Sequence, residues 1–454
     1  MNKTQPKIIV IDDDPTGSQT VHSCLLLMQW DVNTLMQGLQ DSAPIFFILS
    51  NTRAMNPEQA ITTTQSICRN LKIAIAQTGI KDFLVVSRSD STLRGHYPVE
   101  TDVIAQELGG FDAHFLTPAF FEGGRVTVDQ THYLLIDGVK TPVAETEFAQ
   151  DSVFGYSHSY LPDYVAEKTQ GKIAPEQVVK FSLSDIRTGK IRSRLLELEH
   201  NQCVVVDGEC QADFDLLAEA ILQATAQGKR FLFRSAASLL TSLAQLGEQP
   251  IAAENMARYR PTNRPGVVLV GSHVQKTTQQ LNQLLKEQVV GIEVDVVALR
   301  DRGAYPEGLH SNGCNRPQAK TEILESILAA VEEAFNHDQT AVIYTSRAEL
   351  SFADVQQRLE FGVAVSALLM EIVQGLPPTI SFLISKGGIT SNDVLSVGLN
   401  LTQARLLGQI LPGCSVIRTE PTHPQFPNLP VVLFPGNVGD QHSLVAAWQR
   451  LTIS

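Results

Sequence analysis

KIIVIDDDPTG, residues 7–17, is the stretch on which the fold turns. Its apolar run is β-branched and continuous rather than alternating, and three acids follow it at once. A strand buried on both faces reads this way, as strands of parallel sheets do. The pattern recurs at residues 45–49 (IFFIL), 83–86 (FLVV), 204–206 (VVV), 231–233 (FLF), 267–270 (VVLV), 341–344 (AVIY), 382–384 (FLI) and 431–434 (VVLF). Between these runs lie longer helix-like stretches, among them residues 57–77, 277–285, 322–335 and 355–373. The alternation predicts an α/β protein with mostly parallel sheets flanked by helices.

A chain of 454 residues exceeds the ~250–300 at which one core stops growing, so two domains are expected. The stretch GEQPIAAENMARYRPTNRPG, residues 247–266, holds three prolines and no strand pattern. It divides the chain into expected domains at 1–250 and 262–454. Residues 301–318, rich in Gly, Asn and Pro, read as a long surface loop. Hydrophobic residues are 43% and charged residues 18%, the profile of an ordinary globular protein. The 35 basic and 48 acidic residues give a net charge of −13. That balance argues against nucleic-acid or anionic-membrane partners, which need basic surface, but leaves room for a small anion in a local pocket. No apolar run approaches the ~18 residues of a membrane span, and the start lacks a secretory pattern. Six scattered cysteines form no C-x-x-C pair. This predicts a reducing, cytoplasmic setting with free thiols and neither a disulfide framework nor a structural metal site. A homo-oligomer is compatible with all of this.

In open α/β sheets ligands sit beyond the carboxyl ends of the strands, so the strand exits carry the chemistry. The first exit holds Asp12, Asp13 and Asp14, whose mutual repulsion calls for a ligand, cation or donors. A carboxylate there can orient or deprotonate a hydroxyl; the alternative is a solvated, helix-capping turn. The second, SRSDSTLRGH at residues 87–96, brackets Asp90, Ser91 and Thr92 with Arg88 and Arg94, ahead of Gly95. Arginine forks suit a planar carboxylate, and hydroxyls with Asp suit a polyol; an internal Arg–Asp pair in a plain loop would look the same. The third, PAFFEGGRVTVDQ, adds Arg125 in what also reads as an ordinary turn. In the second half, Gly271 and Ser272, then Gly387, Gly388 and Thr390 beside Lys386, then Gly436, Asn437 and Gly439 each follow a strand. Glycines at such turns let backbone N–H groups approach phosphate. The P-loop, dinucleotide and protein-kinase signatures are all missing from the sequence.

Together these segments resemble the four-carbon acid sugar kinases, a family formerly called DUF1537. The D-D-x-T-G motif of its substrate domain falls on Asp13, Asp14, Thr16 and Gly17. D-S-T-L-R-G stands intact from Asp90 to Gly95, and P-A-F with G-R matches Pro118, Ala119, Phe120, Gly124 and Arg125. The G-S, G-G-x-T-S and G-N-x-G turns of its nucleotide domain match Gly271–Ser272, Gly387–Gly388–Thr390–Ser391 and Gly436–Asn437–Gly439. The order is right over nearly the whole chain. The nucleotide half departs from many members at His273 and Val274, at Ile389 where Glu is frequent, and at Phe434–Pro435.

The resemblance implies phosphorylation of a terminal hydroxyl of a threonate-, erythronate- or 3-oxo-tetronate-type acid by ATP with Mg²⁺, in a cleft between the domains. Arg94, joined by Arg88, would hold the substrate carboxylate, with Asp90, Ser91, Thr92, Gly95 and Arg125 completing the site. Asp13 or Asp14 would orient or deprotonate the hydroxyl. The three turns, Ser391 included, would hold the nucleotide, with Lys386 a further phosphate contact. A haloacid-dehalogenase-type sugar phosphatase competes, because Asp12, Asp14 and Thr16 fit its D-x-D-x-T opening. It leaves D-S-T-L-R-G without a role and lacks the later acidic pair. A non-enzymatic sugar-acid sensor would need the first half but not three phosphate turns.

Overall fold

The computed structural model describes residues 5–301, 316–347, 350, 352, 354–436 and 438–453. The chain divides into two compact units, Met1–Gln249 and Pro250–Ser454.

In the first unit the strands are β1 (Lys7–Asp12), β2 (Leu25–Leu27), β3 (Ile45–Leu49), β4 (Phe83–Arg88), β5 (Ala113–Thr117), β6 (Arg125–Val128), β7 (Thr131–Ile136), β8 (Val139–Pro142), β9 (Val179–Phe181), β10 (Gln202–Val206) and β11 (Phe231–Ser235). The sheet order is β2-β3-β1-β4-β11-β5-β10-β9, with every pair parallel. Ile8 to Ile11 and Phe46 to Ile48 are buried, as a sheet covered on both faces requires. The β3–β4 crossover is the helix Pro57–Thr78. It starts with an Asn56–Gln59 capping box and Pro57, and ends at Gly79 in the left-handed region. Because β1 lies between β3 and β4, the chain reverses direction across the sheet there. The crevice at the β1 and β4 carboxyl ends is therefore the topological switch point where such sheets bind ligands. A separate antiparallel sheet, β6-β7-β8, is built from two hairpins.

The second unit contains β12 (Val267–Val270), β13 (Val289–Val294), β14 (Thr340–Thr345), β15 (Leu383–Lys386), β16 (Gln403–Leu411), β17 (Cys414–Arg418) and β18 (Pro430–Phe434). The order is β13-β14-β12-β15-β18-β17-β16, parallel as far as β18 and antiparallel beyond it. Its core gathers Val268, Val270, Ile384, Val432 and Phe434 against the last helix, Ser443–Thr452.

The expected mostly parallel α/β architecture is present. Continuous apolar runs did not disclose the hairpin sheet or the β16–β17 pair, whose strands are half-exposed or bulged. Of the expected loop at 301–318, residues 302–315 lie outside the described residues, and Arg316 already begins the helix Arg316–Asn336. Cys24, Cys68, Cys203 and Cys414 are buried and Cys210 is exposed; Cys314 lies outside the described residues. Among the described residues no helix is long and apolar enough to cross a membrane.

Candidate functional site

Strand register assembles the first unit's site. Asp12 of β1 lies opposite Arg88 of β4, Arg88 opposite Ser235 of β11, and Ser235 opposite Thr117 of β5. One row across the sheet thus ends in polar groups, and the loops that leave it stack above. Asp12 is 0% exposed and its Oδ1 lies 3.3 Å from Arg88 Nη1. Gly17 closes over it: a Cβ there would fall 2.1 Å from both Asp12 oxygens, so the G of the motif is a steric requirement.

Asp13, 1% exposed, is held by Arg53 Nη2 at 2.5 Å and by the Ser89 hydroxyl at 3.2 Å. Arg53 Nη1 also reaches Asp14 at 3.3 Å and Asp90 at 4.0 Å, so one guanidinium ties together three carboxylates. The carboxylate of Asp14 accepts from the Thr16 backbone N–H at 2.8 Å and from its hydroxyl. Burial opposes the charges of Asp14 and Asp90, but Arg53 outweighs it with help from Arg88 and Arg94 respectively, and both acids are lowered. Asp13 moves the other way: burial raises it despite Arg53. Behind this group Arg234 pairs with Glu100 at 2.5 Å and donates to Ser87 at 2.7 Å.

Asp90 to Gly95 form a tight loop with Leu93 at φ 66° and Gly95 at φ 121°. A Cβ on Gly95 would lie 2.6 Å from Arg234 Nη2. Arg94 Nε donates to Asp90 at 2.8 Å, and its guanidinium lies 4.9 Å from the Phe148 ring centre. Thr92 donates to Asp90, and Ser91 is buried beside them. Arg125 donates to the Gly123 carbonyl, and its Nε lacks a hydrogen-bond partner among the described residues. The structure therefore brings Asp13, Asp14, Arg88, Asp90, Ser91, Thr92, Arg94 and Gly95 together. Sequence reading missed Arg53, Glu100 and Arg234; Arg53 and Arg234 lie at the exits of IFFIL and FLF.

Asp12 does not stand ready as a nucleophile. Its carboxylate is buried beneath Gly17 and paired with Arg88, and comparison with known proteins lends the phosphatase alternative no support. Burial pushes Asp12 up to about 7, against Arg88 and with Asp13 and Asp14 adding. A raised carboxyl gives stability that is complete below its unfolded value of ~3.9 and lost as pH rises through the folded one. Asp12→Asn should therefore flatten the decline in stability between about pH 4 and 7. Asp14 and Asp90, both lowered, act in the separate window below that range. Urea unfolding followed by Trp30, with Trp448 replaced by Phe, reads the first unit alone. Equal slopes with pH in Asp12→Asn and its parent would refute the account.

In the second unit β12, β15 and β18 are neighbours, so their exits are neighbours too. Val270 lies opposite Lys386, and Lys386 opposite Phe434. A Cβ on Gly271 would lie 2.3 Å from Thr390 Oγ1, and one on Gly436 3.3 Å from Ser272 Oγ. Thr277 joins the turns, donating to Gly436 O at 3.1 Å, with its Oγ1 3.2 Å from Ser272 Oγ. Gly271, Ser272, Gly387, Gly388 and Thr390 line a cavity of about 1200 Å³ with His273, Arg347 and Phe361. Arg347 Nη1 donates to Ser272 O, while its Nε and Nη2 have no hydrogen-bond partner among the described residues.

Three candidates fall elsewhere. Lys386 is 0% exposed; it donates to Pro435 O at 2.5 Å and Gly436 O at 3.3 Å, and burial lowers it to about 7. It supports the third turn from beneath instead of presenting charge to phosphate. Ser391 is buried and its hydroxyl donates to Ser385 O at 3.2 Å. Gly439, at φ 79°, packs against Ser443 at the start of the last helix. Asn437 lies outside the described residues. Of the departures, Ile389 is exposed and His273 lies 3.3 Å from Thr345 Oγ1; both line the cavity, while Pro435 supplies a carbonyl to Lys386.

Comparison with known proteins finds a family match for each half of the chain. Residues 8–243 match the family described as Sugar-binding N-terminal domain, and residues 267–444 match Nucleotide-binding C-terminal domain. The chain belongs to the four-carbon acid sugar kinase family. A D-erythronate kinase of Heliobacterium modesticaldum is 27% identical over 220 residues, 46% of this chain and 47% of that protein. The alignment thus spans about half the length of that curated relative. Two solved structures share the fold. One, from Salmonella typhimurium LT2 and provisionally called a tRNA synthase, superposes with a TM-score of 0.71 at 20% identity, covering 98% of both chains. The other, Haemophilus influenzae protein HI1011 of the DUF1537 family, gives 0.64 at 17% identity, covering 98% of this chain and 100% of its own.

Proposed function

We propose that this protein is a kinase that moves the γ-phosphoryl of ATP to a terminal hydroxyl of a four-carbon acid sugar. The observation that carries the reading is the Arg53-centred cluster of Asp13, Asp14 and Asp90 beside an intact D-S-T-L-R-G loop. Phosphoryl transfer depends on positioning and charge neutralisation more than on covalent chemistry. Asp14, ionised and less enclosed than Asp13, orients the acceptor hydroxyl by accepting its hydrogen bond. Asp13 anchors Arg53. Arg94, fixed through Nε on Asp90 and with Nη1 3.7 Å from Asp151, turns its guanidinium to the substrate carboxylate in place of that loose pair, while Ser91 and Thr92 meet its hydroxyls. Arg88 and Arg125 add positive charge behind them.

The cavity of the second unit suits a nucleoside triphosphate. It is of drug-sized-ligand scale or larger, two glycine turns line it where a Cβ would crowd Thr390 or Ser272, and Arg347 adds a cation whose Nε and Nη2 have no partner among the described residues. Mg²⁺ would arrive with the phosphates, since it is held mainly by phosphate oxygens and water in such enzymes. Transfer requires donor and acceptor to meet away from water, so a closed working state belongs to the proposal. The D-erythronate kinase relative supports a four-carbon acid as acceptor.

The test is ADP release from ATP and Mg²⁺ across a panel of threonates, erythronates and 3-oxo-tetronates. ADP should appear only with an acid of this class. Phosphate release from sugar phosphates without ATP would reinstate the phosphatase alternative.

A further inference from the structure

The D-S-T-L-R-G loop is held by its carbonyls. His132 Nε2 lies 2.8 Å from Ser91 O. Tyr156 Oη donates to Thr92 O at 2.7 Å, Tyr164 Oη to Leu93 O at 2.8 Å, and Ser89 Oγ to Arg94 O at 3.0 Å. Three consecutive carbonyls, those of Ser91, Thr92 and Leu93, are thus each taken by a different side chain, while the single Ser89 proton is divided between Arg94 O and Asp13 Oδ2. These side chains come from separate elements: His132 from β7, Tyr156 from the segment after Gly155, Tyr164 from the helix Leu161–Lys168, and Ser89 from the loop's own start.

The protonation states follow. A carbonyl only accepts, so His132 carries its proton on Nε2, and its Nδ1, 2.9 Å from Thr127 Oγ1, accepts from that hydroxyl. His132 is buried and stays neutral, because burial lowers it to about 4; burial pushes both phenols up.

In a planar trans peptide the N–H points opposite to the C=O. Tying down the carbonyls of residues 91–93 therefore turns the N–H groups of residues 92–94 away from the side chains that hold them. Leu93 N–H closes a turn on Asp90 O at 3.2 Å. Among the described residues no acceptor takes the N–H of Thr92, Arg94 or Gly95. Successive free N–H groups around a residue in the left-handed region form an anion-binding concavity. A loop that merely joined β4 to the helix Val99–Leu108 would have no need of three buried polar side chains behind it.

We propose that His132, Tyr156 and Tyr164 are positioning residues for the acid sugar, holding the loop so that its N–H groups face the substrate carboxylate. The assignment rests on the kinase reading above. Its test is the Tyr156→Phe, Tyr164→Phe double variant, which removes two oxygens and leaves the packing rings. Calorimetry with the acid identified by the panel should show affinity weakened roughly fivefold per hydroxyl, the effect of one ordinary hydrogen bond. The Michaelis constant for ATP should stay at the wild-type value. His132→Gln, which keeps a donor, should bind the acid better than His132→Leu. Wild-type acid affinity in the folded double variant overturns the assignment alone. Equal weakening of acid and ATP, with a lowered melting temperature, reduces the three residues to a structural role and also overturns it. Failure of the wild-type protein to bind any four-carbon acid overturns the kinase reading and this assignment with it.

Discussion

Arg53→Ala should destabilise the first unit by about 3–5 kcal/mol at neutral pH, the cost of leaving a buried carboxylate without its partner. Asp13 is almost wholly enclosed, and its 2.5 Å contact with Arg53 is the shorter of its two arginine contacts, Arg88 lying at 3.8 Å. Removing the guanidinium also leaves Asp14 and Asp90 facing each other's charge. The pH dependence has a definite sign. Burial raises Asp14 and Asp90, but Arg53 together with Arg88 or Arg94 and the hydrogen bonds they accept outweighs it, and both are lowered. That contribution is complete above the unfolded value of ~3.9 and is lost as pH falls through the lowered folded values. The gap between wild type and Arg53→Ala should therefore narrow below about pH 4. Arg53→Lys should recover only part of the loss, because a single ammonium cannot fork between carboxylates. Trp30 fluorescence in urea, with Trp448 replaced by Phe, measures all three. A loss below about 1 kcal/mol for the alanine variant would place the pair among exposed ones and remove Arg53 from the centre of the site.

The central role of Arg53 also shows where reading the chain alone stopped. The strand exits after KIIVI and FLVV were legible because each places acids or arginines directly against a buried-type run. The exit after IFFIL begins Ser50–Asn51–Thr52 and reaches Arg53 only at its fourth residue, inside a short helical turn. Nothing in that local pattern separates it from a polar turn; only the β1–β3 register brings it over Asp13. Arg234 was hidden differently. It lies within β11 as strand residue FLFRS, where a lone arginine reads as interruption until Glu100 from another segment is seen to pair with it. His132, Tyr156 and Tyr164 carry no motif at all, because their partners are backbone carbonyls whose orientation no sequence records.

In the second half the limits differ. The glycine turns were legible as turns, and their adjacency follows from strand order, which alternating runs do not disclose. Lys386 shows the hazard of position without direction. It stands beside two glycines at a strand end, as a phosphate-binding lysine would. Strand side chains alternate between faces, however, and this one runs over the Phe434 ring at 4.1 Å to the carbonyls of the neighbouring turn.

Gly387→Val should lower nucleotide affinity about 100-fold, close to 3 kcal/mol, while leaving acid-sugar affinity intact. Gly387 has φ 126°, a conformation in which any side chain is strained by ~1–3 kcal/mol. A Cβ there would also lie 3.1 Å from both Ser272 Cβ and Thr390 Oγ1. The branched side chain must therefore push apart the first and second turns at the cavity wall where backbone would meet phosphate. The position lies at the end of β15, whose Lys386 carries the third turn through Pro435, so the disturbance reaches that turn as well. Calorimetry with a non-hydrolysable ATP analogue and, separately, with the acid sugar distinguishes the effects in the full chain. Selective loss of the nucleotide assigns the three turns to phosphate and the D-S-T-L-R-G loop to the acceptor. A folded Gly387→Val protein that binds the analogue like wild type would instead move the triphosphate away from these turns. A common loss of both ligands with a lowered melting temperature would show only that the residue is needed to fold.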